Sequence, residues 1–447
     1  MSPSRRLLVA LAALALLALV IGVLAALQLE LATSLQPVWW GLLLALLATA
    51  LFDVYRLRRL PTPKVQRSLS GSLPLGHWSP VQLTVSNRQP APLELELELE
   101  LFDHVPPGMT VEQLPQRVRL QSGEHCRLDY RVQPNQRGQV MFQRCDVRLL
   151  SPLGLWRSRR PLTLLSETRV YPDFAQLHGA GLKAIDLWLN RLGIRQQPRR
   201  GLGLEFHQLR EFREGDTLRQ IDWKATARAR TPIAREYQDE RDQQIMLMLD
   251  CGRRMRSQDG DLSHFDHALN ASLLLAYAAL RQGDAVGACT FASHAQRHVP
   301  PAKGQQQLRL LLNSLYDLQP TQQPADYSAA VEQLLARQSR RALVIVLSNL
   351  RDEDDVELHS ALQRLARRHR VLLVNLREEV LDQLRQRPVQ SLDDALDYCG
   401  AQDYLNARQQ LHRRLSAGGL PVLDVQPSDL GPALVGRYLA WKKTGSL

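Results

Sequence analysis

Two uninterrupted apolar runs open the chain and limit what everything after them can do. Leu7 to Leu29 holds no charge and is mostly Leu, Ala and Val; Leu31 to Phe52 is a second uncharged run with Pro37, Trp39 and Trp40 near its start. Each is about 20 residues long, the length that crosses a hydrocarbon core. The expectation is a transmembrane helical hairpin occupying residues 1–60, with spans at about 7–29 and 33–54. A cleaved signal peptide is the competing reading of the first run. That run is longer than an ordinary signal core, and a second span follows at once. Arg5 and Arg6 precede the pair, Arg56, Arg58, Arg59 and Lys64 follow it, and the intervening turn carries only Glu30. The excess of cations at both ends places both ends in the cytoplasm and the short turn outside, with Trp39 and Trp40 at the outer interface.

Residues 61–173 read as short strands. Leu93 to Leu101 is LELELELEL, which puts every Leu on one face and every Glu on the other. Val81–Val85, Val118–Leu120, Cys126–Val132 and Cys145–Leu149 repeat that alternation, and Asn87, Pro90, Pro106-Pro107-Gly108, Ser122-Gly123 and Pro134-Asn135 supply turns between them. Strands at this spacing make a small antiparallel β-sandwich. Pro152, Gly154 and Trp156 read as a turn and a core aromatic. The five cysteines, 126, 145, 251, 289 and 399, are scattered and odd in number, which favours a reducing compartment over a disulfide framework or a zinc site.

Residues 174–242 form a connector followed by a distinctive segment. The connector has helical spacing at Ala184–Leu192 and a basic end, Arg195, Arg199 and Arg200, which suits either a solvated linker or contact with anionic headgroups. From Gly201 the chain is dense in charge of both signs: Arg210, Glu211, Arg213, Glu214, Asp216, Arg219 and Asp222 lie close together. Phe206, Phe212, Ile221 and Trp223 stand between them, and Gly215-Asp216 marks a turn. Apolar anchors inside a two-sign charge run point to a folded collar, with Trp223 buried and the charges paired. Beyond it, residues 243–447 alternate strand-like and helix-like runs, from Ile245–Asp250 to Gly431–Lys442. This is a βα pattern and hence a parallel sheet covered on both faces. Asp250 ends the first strand and is delivered to the sheet's carboxyl edge.

The run LREFREGDTLRQIDWKATAR resembles the signature of the bacterial family called domain of unknown function 58, as does QRGQVMFQRCDVRLLSPLGLW. The resemblance covers nearly the whole chain. It implies that Arg210, Glu211, Phe212, Gly215, Asp216, Arg219, Asp222 and Trp223 are signature or interaction residues. It also implies a three-layer α/β Rossmann-like domain similar to von Willebrand factor A domains. In those domains a divalent cation is held by Asp-x-Ser-x-Ser, a Thr from a later loop and an Asp after the fourth strand. Here Asp250 is kept, but Gly252 and Arg254 stand at the serine positions and Asn349 at the fourth-strand position, with the loop position near Ser328. Gly offers no side-chain ligand and a guanidinium offers no acceptor, so the site reads as degenerate, without a metal or other cofactor.

Enzyme signals are absent: there is no G-x-S-x-G, no Walker loop and no H-E-x-x-H. His264 and His267 fall at a helix start, where capping or a surface position is the ordinary role. The net charge of +11 allows nucleic acid or an anionic membrane as partner. Nucleic acid is disfavoured, because the Arg residues from 195 to 241 are interleaved with nearly as many acids. The resulting expectation is a non-enzymatic scaffold in the bacterial inner membrane, contacting lipid, with its soluble domains in the cytoplasm. The resemblance implies a MoxR-type AAA+ ATPase as its protein partner in envelope or complex assembly. The alternative is a metal-dependent hydrolase using Asp250.

Overall fold

The structure, a computed structural model, describes the chain apart from residues 28–30, 87–96, 122, 173–199, 202–204, 214–220, 239–242, 294–295, 352–354 and 445–447. The expected connector helix, the first half of the LELELELEL run and Gly215, Asp216 and Arg219 lie outside the described residues. Two compact units divide the chain, Met1–Tyr171 and Pro172–Leu447.

In the first unit, β1 (Ser2–Pro3) leads into two long helices, α1 (Arg5–Ala26) and α2 (Leu31–Arg59). Both are apolar and long enough to cross a membrane. Ser4 caps α1 by accepting from the Leu7 amide. α2 carries Pro37 and continues through the basic residues Arg56, Arg58 and Arg59 at its last turn. That is a favourable place for cations at the negative end of a helix dipole. Trp39 donates its indole N–H to the Leu14 carbonyl at 2.9 Å, so it joins α2 to α1, whereas Trp40 is exposed.

Two sheets complete this unit. One runs β1–β10–β9–β5–β7, with β3 (Ser72–Pro74) added parallel to β10 (Trp156–Tyr171); β9 is Gly138–Leu150, β5 is Leu97–Asp103 and β7 is Gln116–Leu120. The other runs β2–β4–β8–β6, comprising Lys64–Ser68, Ser79–Ser86, His125–Pro134 and Met109–Glu112. The alternation works as read where it is described: Leu99 and Leu101 are fully buried. Asp103 ties the sheets together, accepting from Arg67 Nε of β2 at 2.8 Å and from the Tyr130 hydroxyl of β8. Burial, then the Asp103 carboxylate, push the Tyr130 phenol far above its ordinary pKa, so it stays a donor.

The corner Ser151–Trp156 is not the plain turn and core aromatic that its residue types suggest. Asp53 of α2 is fully buried there, and its carboxylate accepts from the Ser151 hydroxyl, the Leu153 amide at 3.0 Å and the Leu155 amide at 3.1 Å. Trp156 is half-buried and donates to the Ala50 carbonyl at 3.1 Å. On the other side Ser4 donates its hydroxyl to the Gly154 carbonyl, and its amide to that of Leu155. The corner therefore seats the base of the helical hairpin. A carboxylate in an otherwise apolar helix is tolerated because three donors surround it.

The second unit begins with a three-stranded sheet, β11–β13–β12 (Arg200–Gly201, Ile233–Gln238 and Glu205–Glu211), and a two-turn helix, α3 (Trp223–Ala229). The α/β core follows. β14 (Gln244–Asp250) is central, and the order across the sheet is β18–β17–β14–β19–β20–β21. A small hairpin, β15 (Gln258–Asp259) and β16 (Leu262–Ser263), comes between β14 and α4 (His264–Arg281). β17 is Ala285–Phe291, β19 Leu343–Ser348, β20 Arg370–Leu376 and β21 Val422–Val425, all parallel to β14; β18 (His298–Ala302) is an antiparallel edge that the sequence reading did not anticipate. Gly287 makes that edge possible, since a Cβ there would stand 2.6 Å from the Val299 carbonyl oxygen. β19 is buried throughout and β14 from Ile245 on, as strands covered on both faces must be. α6 (Tyr327–Arg337), α7 (Asp355–Ala366) and α9 (Leu392–Ala417) pack one face through Val331, Leu358 and Leu411 around Met246, Met248 and Val344. α5 is Gln305–Leu315, α8 is Glu379–Gln386, and α10 is Leu430–Thr444.

Candidate functional site

The signature folds around one hydrogen-bonded corner. Phe212 and Asp222 donate their amides to the Pro232 and Ile233 carbonyls, and Ile221 bridges Ala234, so the segment is laid against β13. Asp222 then starts α3: its carboxylate accepts from the Lys224 and Ala225 amides, both at 3.0 Å. This is the role that an Asp before a short helix fills best, because it satisfies otherwise orphan amides. The expectation that Trp223 is a buried anchor is overturned, because its side chain is 70% exposed. As the first residue of α3 it points away from the strand that the Asp222 amide engages. Ala234 is the buried residue of this corner instead. Arg210 and Glu211 lie at the end of β12, where the Arg210 guanidinium donates to the Glu211 carbonyl at 3.0 Å.

The carboxyl edge of the central sheet holds the second set of singled-out residues. Asp250 is 1% exposed. Its Oδ1 accepts from the Gly252 amide at 2.7 Å and its Oδ2 from the Ser348 hydroxyl at 2.6 Å. Ser348 is in turn joined to the Tyr327 hydroxyl at 2.9 Å. Gly252 is required by closeness: a Cβ there would meet Asp250 Oδ1 at 2.9 Å and the Gln323 carbonyl at 3.0 Å. Arg254 lies directly beyond, in the 3-10 turn Arg253–Arg256. The loop position anticipated near Ser328 falls inside α6. Thr321 lies close by, its hydroxyl 2.6 Å from the Ala292 carbonyl and 3.2 Å from the Cys251 carbonyl, clasping the two loops.

Asn349 faces a different set of partners. Its amide donates to Glu378 Oε1 at 2.8 Å and lies 3.4 Å from His264 Nδ1, and His264 Nε2 is 2.8 Å from Asp259. His264 is therefore a buried member of a hydrogen-bonded chain and not a surface or capping residue; Ser263 is the cap, in a capping box with Asp266. Burial lowers the pKa of His267, which keeps that imidazole neutral. Among the described residues no three His, Cys, Asp or Glu side chains converge as metal ligands do. The described edge can hold its own loops in place. Its Asp250 carboxylate takes one donor from the chain on each oxygen, from the Gly252 amide and the Ser348 hydroxyl. Ser348 at the end of β19, Tyr327 at the start of α6 and Thr321 in the loop before it were missed by sequence reasoning, because a lone hydroxyl carries no spacing signal of its own.

A third feature shows only in the fold. α8 and the first turns of α9 form a helical hairpin whose apolar side chains face solvent: Leu392 is 77% exposed, Leu396 62% and Val389 53%. No residue of α9 is buried before Ala401.

Comparison with known proteins agrees with the signature. An uncharacterised protein of Mycobacterium tuberculosis (strain H37Rv) and one of Mycobacterium bovis are each 24% identical over 264 residues, 55% of this chain and 82% of theirs. Among solved structures, BatB from Bacteroides thetaiotaomicron is 14% identical with a TM-score of 0.29, over 45% of this chain and 99% of that one. The SpRpn10 VWA domain is 9% identical with a TM-score of 0.26, over 43% and 93% respectively. The family model described as protein of unknown function DUF58 matches residues 208–397, from β12 into the first turns of α9.

Proposed function

We propose that the chain is a membrane-anchored adaptor, not an enzyme, and that its α/β unit docks a protein partner. The observation that carries this reading is the α8–α9 hairpin. Val380, Val389, Leu392, Leu396 and Tyr398 are exposed on it, in a setting where an isolated soluble surface would bury or replace them. Clustered exposed apolar side chains rimmed by charge are the usual mark of a protein interface. The absence, among the described residues, of three His, Cys, Asp or Glu side chains that converge as metal ligands gives a metal-dependent hydrolase no support. The α1–α2 hairpin supplies the anchor, in the inner membrane, with both units in the cytoplasm. The partner class that the family resemblance suggests is a MoxR-type AAA+ ATPase.

The test uses the full chain in detergent and a purified MoxR-type ATPase from the same organism. Binding is expected with the native chain, and is lost in the Leu392→Lys, Leu396→Lys double variant while the melting temperature is kept. Equal binding by both chains removes the hairpin from the interface, and no binding by either removes this partner class.

A further inference from the structure

In a parallel sheet the strands all enter from one edge, and the helices that run back between them end there. At this entry edge Arg281, Arg337 and Lys443 close α4, α6 and α10, where helix dipoles favour cations. Those ends do not account for what lies beyond them. Arg340 and Arg341 precede β19, Arg367 and Arg368 lie between α7 and β20, and Arg370 opens β20. β19 and β20 are neighbours in register Leu343↔Arg370, and the Ala342 amide is 3.3 Å from His369 Nδ1, so these two loops lie side by side. Arg370 also sits over the Trp441 ring of α10 at 4.6 Å, with Arg437 at 6.0 Å. The result is one continuous patch of guanidiniums across the two strand entries and the end of α10. Arg340, Arg341, Arg367, Arg368 and Arg437 are exposed, and none has an ion-pair partner among the described residues. Among the described residues the buried acid at this edge, Asp284, is taken by Lys442 at 2.7 Å. Asp239, Glu240 and Asp242, before β14, lie outside the described residues and are fewer than the cations.

We infer that this entry edge is an anionic-bilayer contact: it lays the α/β unit on negatively charged phospholipid headgroups and leaves the carboxyl edge and the α8–α9 hairpin turned away from the surface. The inference rests on the membrane-anchor reading, which also decides between a bilayer and a nucleic acid. A chain with two membrane-crossing helices would hold its α/β unit close to headgroups, where clustered Arg gain most. The one aromatic in the patch, Trp441, is stacked by guanidiniums and is not free to stack bases.

The full chain is placed in lipid nanodiscs of phosphatidylcholine alone and of phosphatidylcholine with phosphatidylglycerol, and amide hydrogen exchange is followed by mass spectrometry. Residues 337–342 and 366–371 are expected to exchange roughly fivefold or more slowly in the anionic discs. That protection should vanish at about 1 M salt. It should also vanish in the variant carrying Arg340→Gln, Arg341→Gln, Arg367→Gln and Arg368→Gln, whose exposed substitutions leave the melting temperature unchanged. Equal exchange in the two kinds of disc overturns this inference and leaves the anchor standing. Failure of the chain to enter discs at all overturns both. Stronger protection of the same segments by duplex DNA than by phosphatidylglycerol overturns the lipid assignment in favour of nucleic acid.

Discussion

Trp223 stands in solvent at the first turn of α3, so removing its ring deletes little that is buried. Trp223→Ala should shift stability by no more than about 0.5 kcal/mol, against the roughly 3–5 kcal/mol of a buried aromatic. A chemical denaturation curve of the detergent-solubilised chain checks this, and a large loss would return the ring to a covered site. Asp250 makes the opposite case, with both oxygens engaged from within the chain. Millimolar Mg²⁺ or Mn²⁺ should therefore leave the melting temperature of the chain unchanged. A bound ion at a hundredfold excess over its dissociation constant would add about 2.7 kcal/mol, which a melt detects. A rise that disappears in Asp250→Ala would restore the ion site. At this scale the sequence placed Asp250 correctly, because a carboxylate after five apolar residues has few other places to go. It misplaced Trp223, because an Ile two positions earlier suggested a strand where Asp222 caps a helix. The caps, the hydroxyl clasp of Thr321 and the His264 chain depend on contacts between distant segments, and local spacing does not encode those.

Among the elements, α2 is held to the first unit through Asp53. Asp53→Ala would strand the Leu153 and Leu155 amides and the Ser151 hydroxyl, each costing about 1–3 kcal/mol if left unpaired. A loss of about 3 kcal/mol in thermal unfolding is expected, together with faster proteolysis after Arg59, and Asp53→Asn should lose less. The face of β9 offers a pH test. Burial alone would raise the pKa of Asp146, but hydrogen bonds from His104, Arg144 and Arg159 prevail and hold it down at about 2. A carboxyl with a depressed folded pKa gives stability that is present above its unfolded pKa of about 3.9 and is lost as pH falls toward 2. Melts of the native chain and Asp146→Asn should differ above about pH 4 and converge near pH 2. A constant difference would remove the charge from the account. The strands and helices of the α/β core were legible because each carries a long periodic or wholly apolar run. β18 was not, since Pro300 and Pro301 read as a loop, and β10 was not, since charges interrupt its alternation on the exposed face.

For the whole molecule, the direction of the chain in the membrane is the coarsest claim and the simplest to examine. Cations flank the α1–α2 hairpin on both sides, so a reporter active only outside the cytoplasm, fused after Leu447, should stay silent. Strong reporter activity would invert the arrangement. The sequence reading divided the chain into four segments, at 60, 173 and 242, where the contacts group it into two units, and that reading did not show the seating of the hairpin on Ser151–Trp156. It joins residues about a hundred positions apart through one carboxylate. The antiparallel edge has a meaning for the proposed membrane anchoring, which would confine the protein to a plane. Successive amides along a strand face opposite sides, so two adjacent prolines in β18 delete a donor from its outer margin, and the Gln307 side chain occupies the Pro300 carbonyl at 2.9 Å. Copies crowded in two dimensions meet far more often than in solution. A rim with fewer free donors and acceptors offers a neighbouring strand less to pair with, which works against edge-to-edge association.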